Sequence, residues 1–158
     1  MNKKFRKRWK ISSGEMPLSD FVIEFDGGTS CNIPRKGFGI GYGSFKINDL
    51  EIQRLQFDKG YSANAAELET MYKALVALND YIMSDVITHV APHILVCGDS
   101  CIALKWLNCK RIPEGSEMFV TIINKMRKFI KQRQDCLAFG EITPFWRGRQ
   151  KSVELFGH

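Results

Sequence analysis

The stretch FVIEFDGGTS, residues 21–30, decides how the rest of the chain is read. Phe21, Ile23 and Phe25 alternate with Val22, Glu24 and Asp26, the period of a β-strand with two unlike faces. The run ends on an acid followed by Gly27-Gly28, and Asp-Gly is an ordinary turn pair. Asp26 gains a second meaning because other acids also stand at element ends. Glu67 opens a helical pattern in NAAELE (64–69), Asp99 closes an apolar run in ILVCGDS (94–100), and Glu154 lies in WRGRQKSVE (146–154). Singly, each has a plain local role: a turn residue, an acid at a helix dipole, an N-cap and an exposed helical acid. Jointly they bring four acids to element ends, where side chains converge. Such a cluster repels itself unless divalent cations occupy it, and oxygen-only donors point to Mg²⁺ or Mn²⁺.

Outward from this stretch the chain keeps changing period. GFGIGYGSF (37–45) sets Phe38, Ile40 and Tyr42 against a bare face of Gly37, Gly39, Gly41 and Gly43, which admits another backbone, usually a helix. It is not a phosphate loop, because no Lys-Ser/Thr and helix follow it. A turn at Asn48-Asp49 leads into EIQRLQF, a third strand in an antiparallel meander. From Ala65 to about Met83, Leu68, Met71, Leu75, Leu78 and Ile82 form the stripe of an amphipathic helix. His93–Cys97 reads as a buried strand, followed by a helix from Asp99 through SCIALKWL. Residues 116–133 read as a helix with Met118, Ile122, Met126, Phe129 and Ile130 inward, and Lys125, Arg127, Lys128, Lys131 and Arg133 outward. LAFGEITPF gives a fifth strand and residues 150–156 a short last helix. The order βββαβααβα predicts an α/β domain: a mixed five-stranded sheet, three antiparallel strands then parallel ones, flanked by helices.

At 158 residues the chain fits one domain with a sizeable core. No apolar run approaches membrane-spanning length, and the basic start lacks the apolar stretch of a secretory signal. Five cysteines without a C-x-x-C pair read as reduced thiols, so the expected setting is intracellular and cytoplasmic. Charge is uneven. Lys3, Lys4, Arg6, Lys7, Arg8 and Lys10 carry the whole net charge of +6, since the later residues hold 17 bases and 17 acids. With Phe5 and Trp9 interleaved, this arm suits phosphate contact and base stacking; a solvated tail or a nuclear or organellar targeting signal fits it equally. Composition thus divides the chain into a basic arm and linker at 1–18, with ISSGEMPL (11–18) as linker, and a domain at 19–158.

These residues resemble the ribonuclease H family, its type I branch within the retroviral-integrase-like superfamily. Asp26-Gly27 is similar to the Asp-Gly that ends the family's first strand, and GFGIGYGSF to its Gly-rich second strand. Asn64-Ala65-Ala66-Glu67 resembles its Asn-x-Ala-Glu helix start, and Asp99-Ser100 its strand-end Asp-Ser. Arg147-Gly-Arg-Gln150-Lys-Ser-Val153-Glu154 resembles a last segment of the form Arg-x-x-Asn-x-x-Ala-Asp. The resemblance runs from about residue 20 to the end. It implies endonucleolytic cleavage of the RNA strand of an RNA–DNA hybrid by a monomer using two divalent ions about 4 Å apart. Asp26 would bridge both ions, with Glu67 and Asp99 on one and Glu154 on the other. It further implies that Gly27, Gly28, Thr29, Glu67 and Ser100 lie near the RNA and Asn64 near the DNA, with Arg147 and Arg149 also on the substrate.

Two departures stand out. The fourth acid is Glu where the family usually has Asp, and the loop that often carries a His before it is replaced by Arg147-Gly148-Arg149. Glu24 shares a strand face with Asp26 and reads as a supporting or exposed acid. Two other activities stay open on this pattern: a non-catalytic nucleic-acid-binding module, and a structure-selective DNA nuclease.

Overall fold

The strand period at residues 21–25 continues past its turn-like ending. In the computed structural model, which describes residues 3–33 and 38–157, β1 spans Phe21–Ile33 and β2 spans Phe38–Ile47. β3 covers Gln53–Gln56, β4 Ile94–Gly98 and β5 Ile142–Trp146. They form one sheet in the order β3-β2-β1-β4-β5. β1, β2 and β3 pair antiparallel, whereas β1, β4 and β5 run parallel. The helices are α1 (Lys3–Arg8), α2 (Ala63–Ser84), α3 (Cys101–Lys105), α4 (Glu117–Asp135) and α5 (Arg149–Phe156). After α1 the order is the βββαβααβα that the periodicities imply.

Alternation places the core. Phe21, Ile23 and Phe25 pack with Leu68, Met71 and Leu75 of α2 and with Ile123 and Met126 of α4 in one buried cluster. Each such side chain contributes roughly 1.5–3 kcal/mol through burial. The glycine face of β2 admits α2 as expected: a Cβ on Gly43 would lie 1.8 Å from Thr70 Oγ1. Gly37 and the side chain of Phe38 fall outside the described residues. The turn after β2 is also where the sequence puts it, with Asn48 at φ 48° and the Leu50 N–H donating to Ile47 O at 3.0 Å. The other sheet face carries a smaller cluster of Leu95, Cys97 and Phe145. There Arg54 Nη1 donates to Ser44 Oγ at 3.2 Å and to Phe156 O at 3.1 Å, tying β3 and β2 to the end of α5.

Serine caps fix the helix starts. Ser62, Ser100 and Ser116 each accept the N–H three residues on, at 3.1, 3.2 and 3.2 Å. Ser62 thus starts α2 at Ala63, two residues before the apolar stripe begins. β5 starts later than LAFGEITPF suggests. Leu137 adopts φ 62° and Gly140 presses on the preceding loop, where a Cβ would lie 2.1 Å from Ala91 O. Pro144 is tolerated in β5 because that strand is the sheet's edge.

Composition alone suggests a mobile arm and linker at 1–18, but residues 3–12 pack on the domain. α1 ends on Lys10 in the left-handed region (φ 55°), and the Ile11 N–H donates back to Arg6 O at 2.8 Å. That reversal buries Ile11 in the core. Ser12 then bridges to β5, its N–H donating to Pro144 O at 3.0 Å and its carbonyl accepting from the Trp146 N–H at 2.7 Å. Among the described residues no helix is long and apolar enough to cross a membrane.

Candidate active site

β1 and β4 pair from Phe21–Ile94 to Glu24–Cys97 and no further. Beyond that register the two strands part, β1 continuing beside β2 alone. A crevice at the carboxyl ends of parallel strands, where the connections leave in opposite directions, is where open α/β sheets hold ligands. Asp26 projects from β1 two residues past the last pair, and Asp99 directly follows β4. Glu67 arrives from α2, and Gly27 explains how. A Cβ at Gly27 would stand 2.9 Å from Ala66 O and 3.0 Å from Glu67 Cα, so its absence lets α2 rest on β1 with Glu67 beside Asp26. The Asp26-Gly27 pair is therefore not a turn. It lies within a 13-residue strand, and its glycine serves helix packing. Glu67 also lies two residues deeper in its helix than the sequence suggests, past the first turn, because α2 starts at Ala63. The helix dipole acts mainly on the first turn, so Glu67 owes little to it.

Asp26, Glu67 and Asp99 each offer a carboxylate oxygen, all within 4.8 Å of one another. Asp26 and Glu67 are buried, and the Asp99 side chain is only 10% exposed. Burial, and then the charges of Asp26 and Asp99, push the Glu67 carboxyl well above the ordinary range. Among the described residues its Oε2 has no hydrogen-bond partner. Converging, desolvated, oxygen-only donors with an unmatched acceptor fit a hard divalent cation. A cationic side chain reaches them: Arg149 Nη1 lies 3.5 Å from Asp26 Oδ1 and 3.4 Å from Asp99 Oδ2.

No family sequence model matches the chain, nor does any curated protein sequence. Solved structures do. RNase H1 from the halophilic archaeon Halobacterium salinarum superposes with a TM-score of 0.61 at 15% identity, over 83% of this chain and 87% of that one. LC11-RNase H1 in complex with an RNA/DNA hybrid gives 0.62 at 16% identity, over 85% and 90%. The N-terminal RNase H domain of a Mycobacterium tuberculosis protein gives 0.59 at 15%, over 85% and 86%. The chain has the ribonuclease H fold. The sheet order and flanking helices match the ribonuclease H fold, and the sequence expectation of that fold holds.

On this ribonuclease H fold the expected site residues divide. Asp26, Glu67 and Asp99 converge. Glu154 stands apart: half-exposed on α5, its Oε2 lies 3.5 Å from Lys151 Nζ. Among the described residues the convergent group has three acids, not four. Arg147 forms an ion pair with Glu24, so Glu24 is not a free exposed acid, and the pair braces the entry to α5. Gly28 is buried under Tyr42, whose hydroxyl a Cβ would meet at 2.7 Å. Thr29 is half-buried on β1, and Asn64 is exposed in the first turn of α2. Ser100 rather than Asp99 is the cap of α3, its hydroxyl accepting from the Ala103 N–H. Of the basic residues read on the outer face of α4, Arg127 and Arg133 turn back over Trp106 and Phe129, while Lys125 and Lys128 are exposed.

Sequence reasoning missed Trp146. Its Nε1–H donates to Asp99 O at 3.3 Å, holding the backbone of a site acid. Arg6 of α1 in turn lies over the Trp146 ring, 4.8 Å from its centroid. The only hint in the sequence was that Trp146 directly precedes the Arg-Gly-Arg segment.

Proposed function

We propose that this protein is a metal-dependent endoribonuclease that cleaves the RNA strand of RNA–DNA hybrids and acts as a monomer. The observation that carries this reading is the convergence of Asp26, Glu67 and Asp99 within 4.8 Å where β1 and β4 part. A protein of the same fold, LC11-RNase H1, is known in complex with an RNA/DNA hybrid. Bound Mg²⁺ or Mn²⁺, two ions per site, would supply an activated water and stabilise the leaving 3′-oxygen. Asp26, Glu67 and Asp99 would hold the ions, and Glu154 would join them by leaving Lys151. Arg149 offsets the repulsion between Asp26 and Asp99, and its guanidinium is placed to take a substrate phosphate oxygen once those acids have other partners. Discrimination for RNA requires a contact to the 2′-hydroxyl, for which the Gly27–Thr29 backbone and Glu67 are the candidates, with Asn64 toward the DNA strand. The basic residues of α1 contact phosphates.

The test is direct. With Mg²⁺ or Mn²⁺ the purified protein cuts the RNA of a labelled hybrid, and Asp26→Asn abolishes cutting while keeping a native circular dichroism spectrum. Intact RNA after incubation with both metals overturns the reading. The position of Glu154, away from the other acids, favours a second reading: a module that binds nucleic acid without cutting it. Hybrid binding that needs no metal, with no cleavage, selects that alternative. Cutting of DNA duplexes or junctions in preference to hybrid selects a DNA nuclease on the same scaffold.

A further inference from the structure

Seven cations on the β5 side of the molecule have no carboxylate partner among the described residues: Arg6, Arg8, Lys10, Lys105, Lys110, Arg111 and Arg127. Tryptophan faces gather most of them. Arg8, Lys105 and Arg111 lie 5.0, 4.9 and 5.4 Å from the Trp9 ring, Lys105 and Arg127 lie 4.6 and 5.1 Å from Trp106, and Arg6 lies over Trp146. A cation on an indole keeps its charge but loses side-chain freedom, so it is prepared for an anion; Arg127 also donates through Nη2 to Cys109 O, which fixes it further.

Two cavities border this cluster along the outer edge of β5. One, of ≈710 Å³, opens beside Glu141–Pro144 and is lined by Lys10, Lys110, Arg127 and Lys131. The other, of ≈490 Å³, opens beside Phe145–Gly148 and is lined by Arg6, Arg147 and Lys151. The second reaches the segment that carries Arg149 into the acid cluster. The first sets Lys10, Lys110 and Arg127 against one acid, Glu141, while its fourth cation, Lys131, is already paired with Asp135 at 3.0 Å.

Lys10 adds an independent observation. It occupies the left-handed position that ends α1, at φ 55°, where glycine is the residue without steric cost. A non-glycine residue there costs of order 1 kcal/mol or more, and such strain concentrates at functional sites. The side chain is exposed, so core packing does not explain the choice of lysine.

We propose that the groove lined by Lys10, Lys110 and Arg127 is a second binding site, for the phosphodiester backbone of nucleic acid extending beyond the point of cleavage. This rests on the nucleic-acid reading above and adds to it a preference for long substrates. The indole faces are already covered by cations, so the contact is to phosphate and not to bases, and RNA and DNA strands serve equally.

The decisive variant is Lys10→Gly, which suits the backbone angle and removes an exposed side chain together with its charge; Lys110→Ala is its partner. Binding of a labelled long RNA–DNA hybrid, a long DNA duplex and a short hybrid is measured in chelator across a salt series. Each substitution weakens both long duplexes roughly five- to tenfold near 0.1 M salt and lowers the slope of log affinity against log salt by about one. The short hybrid, confined to the acid cluster, is unaffected. Unchanged affinity and slope for the long duplexes overturn the proposal, and losses confined to the hybrid overturn the phosphate assignment. Cleavage is scored separately. A groove that binds long duplexes on a protein that cuts nothing would leave the site standing and remove the enzyme reading. Cleavage with no effect at Lys10 or Lys110 would do the reverse.

Discussion

Arg149 Nη1 stands 3.4 Å from Asp99 Oδ2, a contact across 50 residues of chain, and 3.5 Å from Asp26 Oδ1. One guanidinium therefore lies between an acid on β1 and another just past the end of β4, in the position a metal cation would compete for. The Arg149 side chain is 62% exposed, so the contact is screened and reversible. Arg149→Ala should tighten Mn²⁺ binding, by up to about fivefold given the modest worth of exposed pairs. Calorimetric titration of the chelator-treated protein measures this directly. Weaker binding by the variant would show that Arg149 supports the ions and does not compete with them.

Glu67 should make the metal-free protein less stable as pH rises. Its folded pKa lies well above the ordinary value, because of burial and then the charges of Asp26 and Asp99. The folded state therefore keeps a proton that the unfolded chain has already released. That contribution is complete below the unfolded value of about 4.3, and it is lost as pH rises through the folded one. In chelator, the melting temperature should fall as pH rises above the ordinary carboxylate range, and Glu67→Gln should flatten that fall. Saturating Mg²⁺ should restore the wild-type melt at the upper end. A wild-type profile as flat as that of Glu67→Gln would refute the raised pKa.

Gly43→Ala should be costly although it adds one methyl group. The new Cβ would lie 1.8 Å from Thr70 Oγ1, and Thr70 is fully buried with its hydroxyl donating to Ala66 O at 2.7 Å. Neither the helix nor the strand can yield freely, so a loss of about 1–3 kcal/mol or more is expected. Urea unfolding measures it, and adding Thr70→Ala should recover part of the loss.

Glu154→Gln separates the roles of the acids. The side chain is 53% exposed and among the described residues pairs only with Lys151, so stability should change by less than about 0.5 kcal/mol. Hybrid cleavage should nevertheless drop strongly if Glu154 joins the ions. Equal cleavage by variant and wild type would mean that Asp26, Glu67 and Asp99 suffice.

Much of the fold was legible because period alone specifies it. The alternation of Phe21, Ile23 and Phe25 and the stripe from Leu68 to Ile82 lie in the elements they imply. Three of the four acids were also legible, since Asp99 follows a buried strand and Asp26 lies on an alternating one. What misled was local chemistry that tertiary contact overrides. Asp26-Gly27 looks like a turn, but the glycine is there for α2, a partner more than thirty residues away in the chain. The N-terminal segment looks like a solvated arm because six charges outweigh two aromatics and Ile11 in any compositional reading. The single buried isoleucine and the bridge at Ser12 nevertheless decide its place. Side-chain positions on α5 and at its entry, such as Glu154 beside Lys151 and Arg147 on Glu24, leave no periodic trace.

The two hydrogen bonds between Ser12 and β5 have a further consequence. β5 is the last strand on its side of the sheet, and an uncovered last strand offers its free N–H and C=O groups to any passing chain. Ser12 occupies Pro144 O and the Trp146 N–H, and Pro144 itself has no N–H to give. Residues 3–12 thus also protect the molecule from pairing strand to strand with its own copies. A version trimmed to residue 13 would be prone to self-association even before its affinity for nucleic acid came into question.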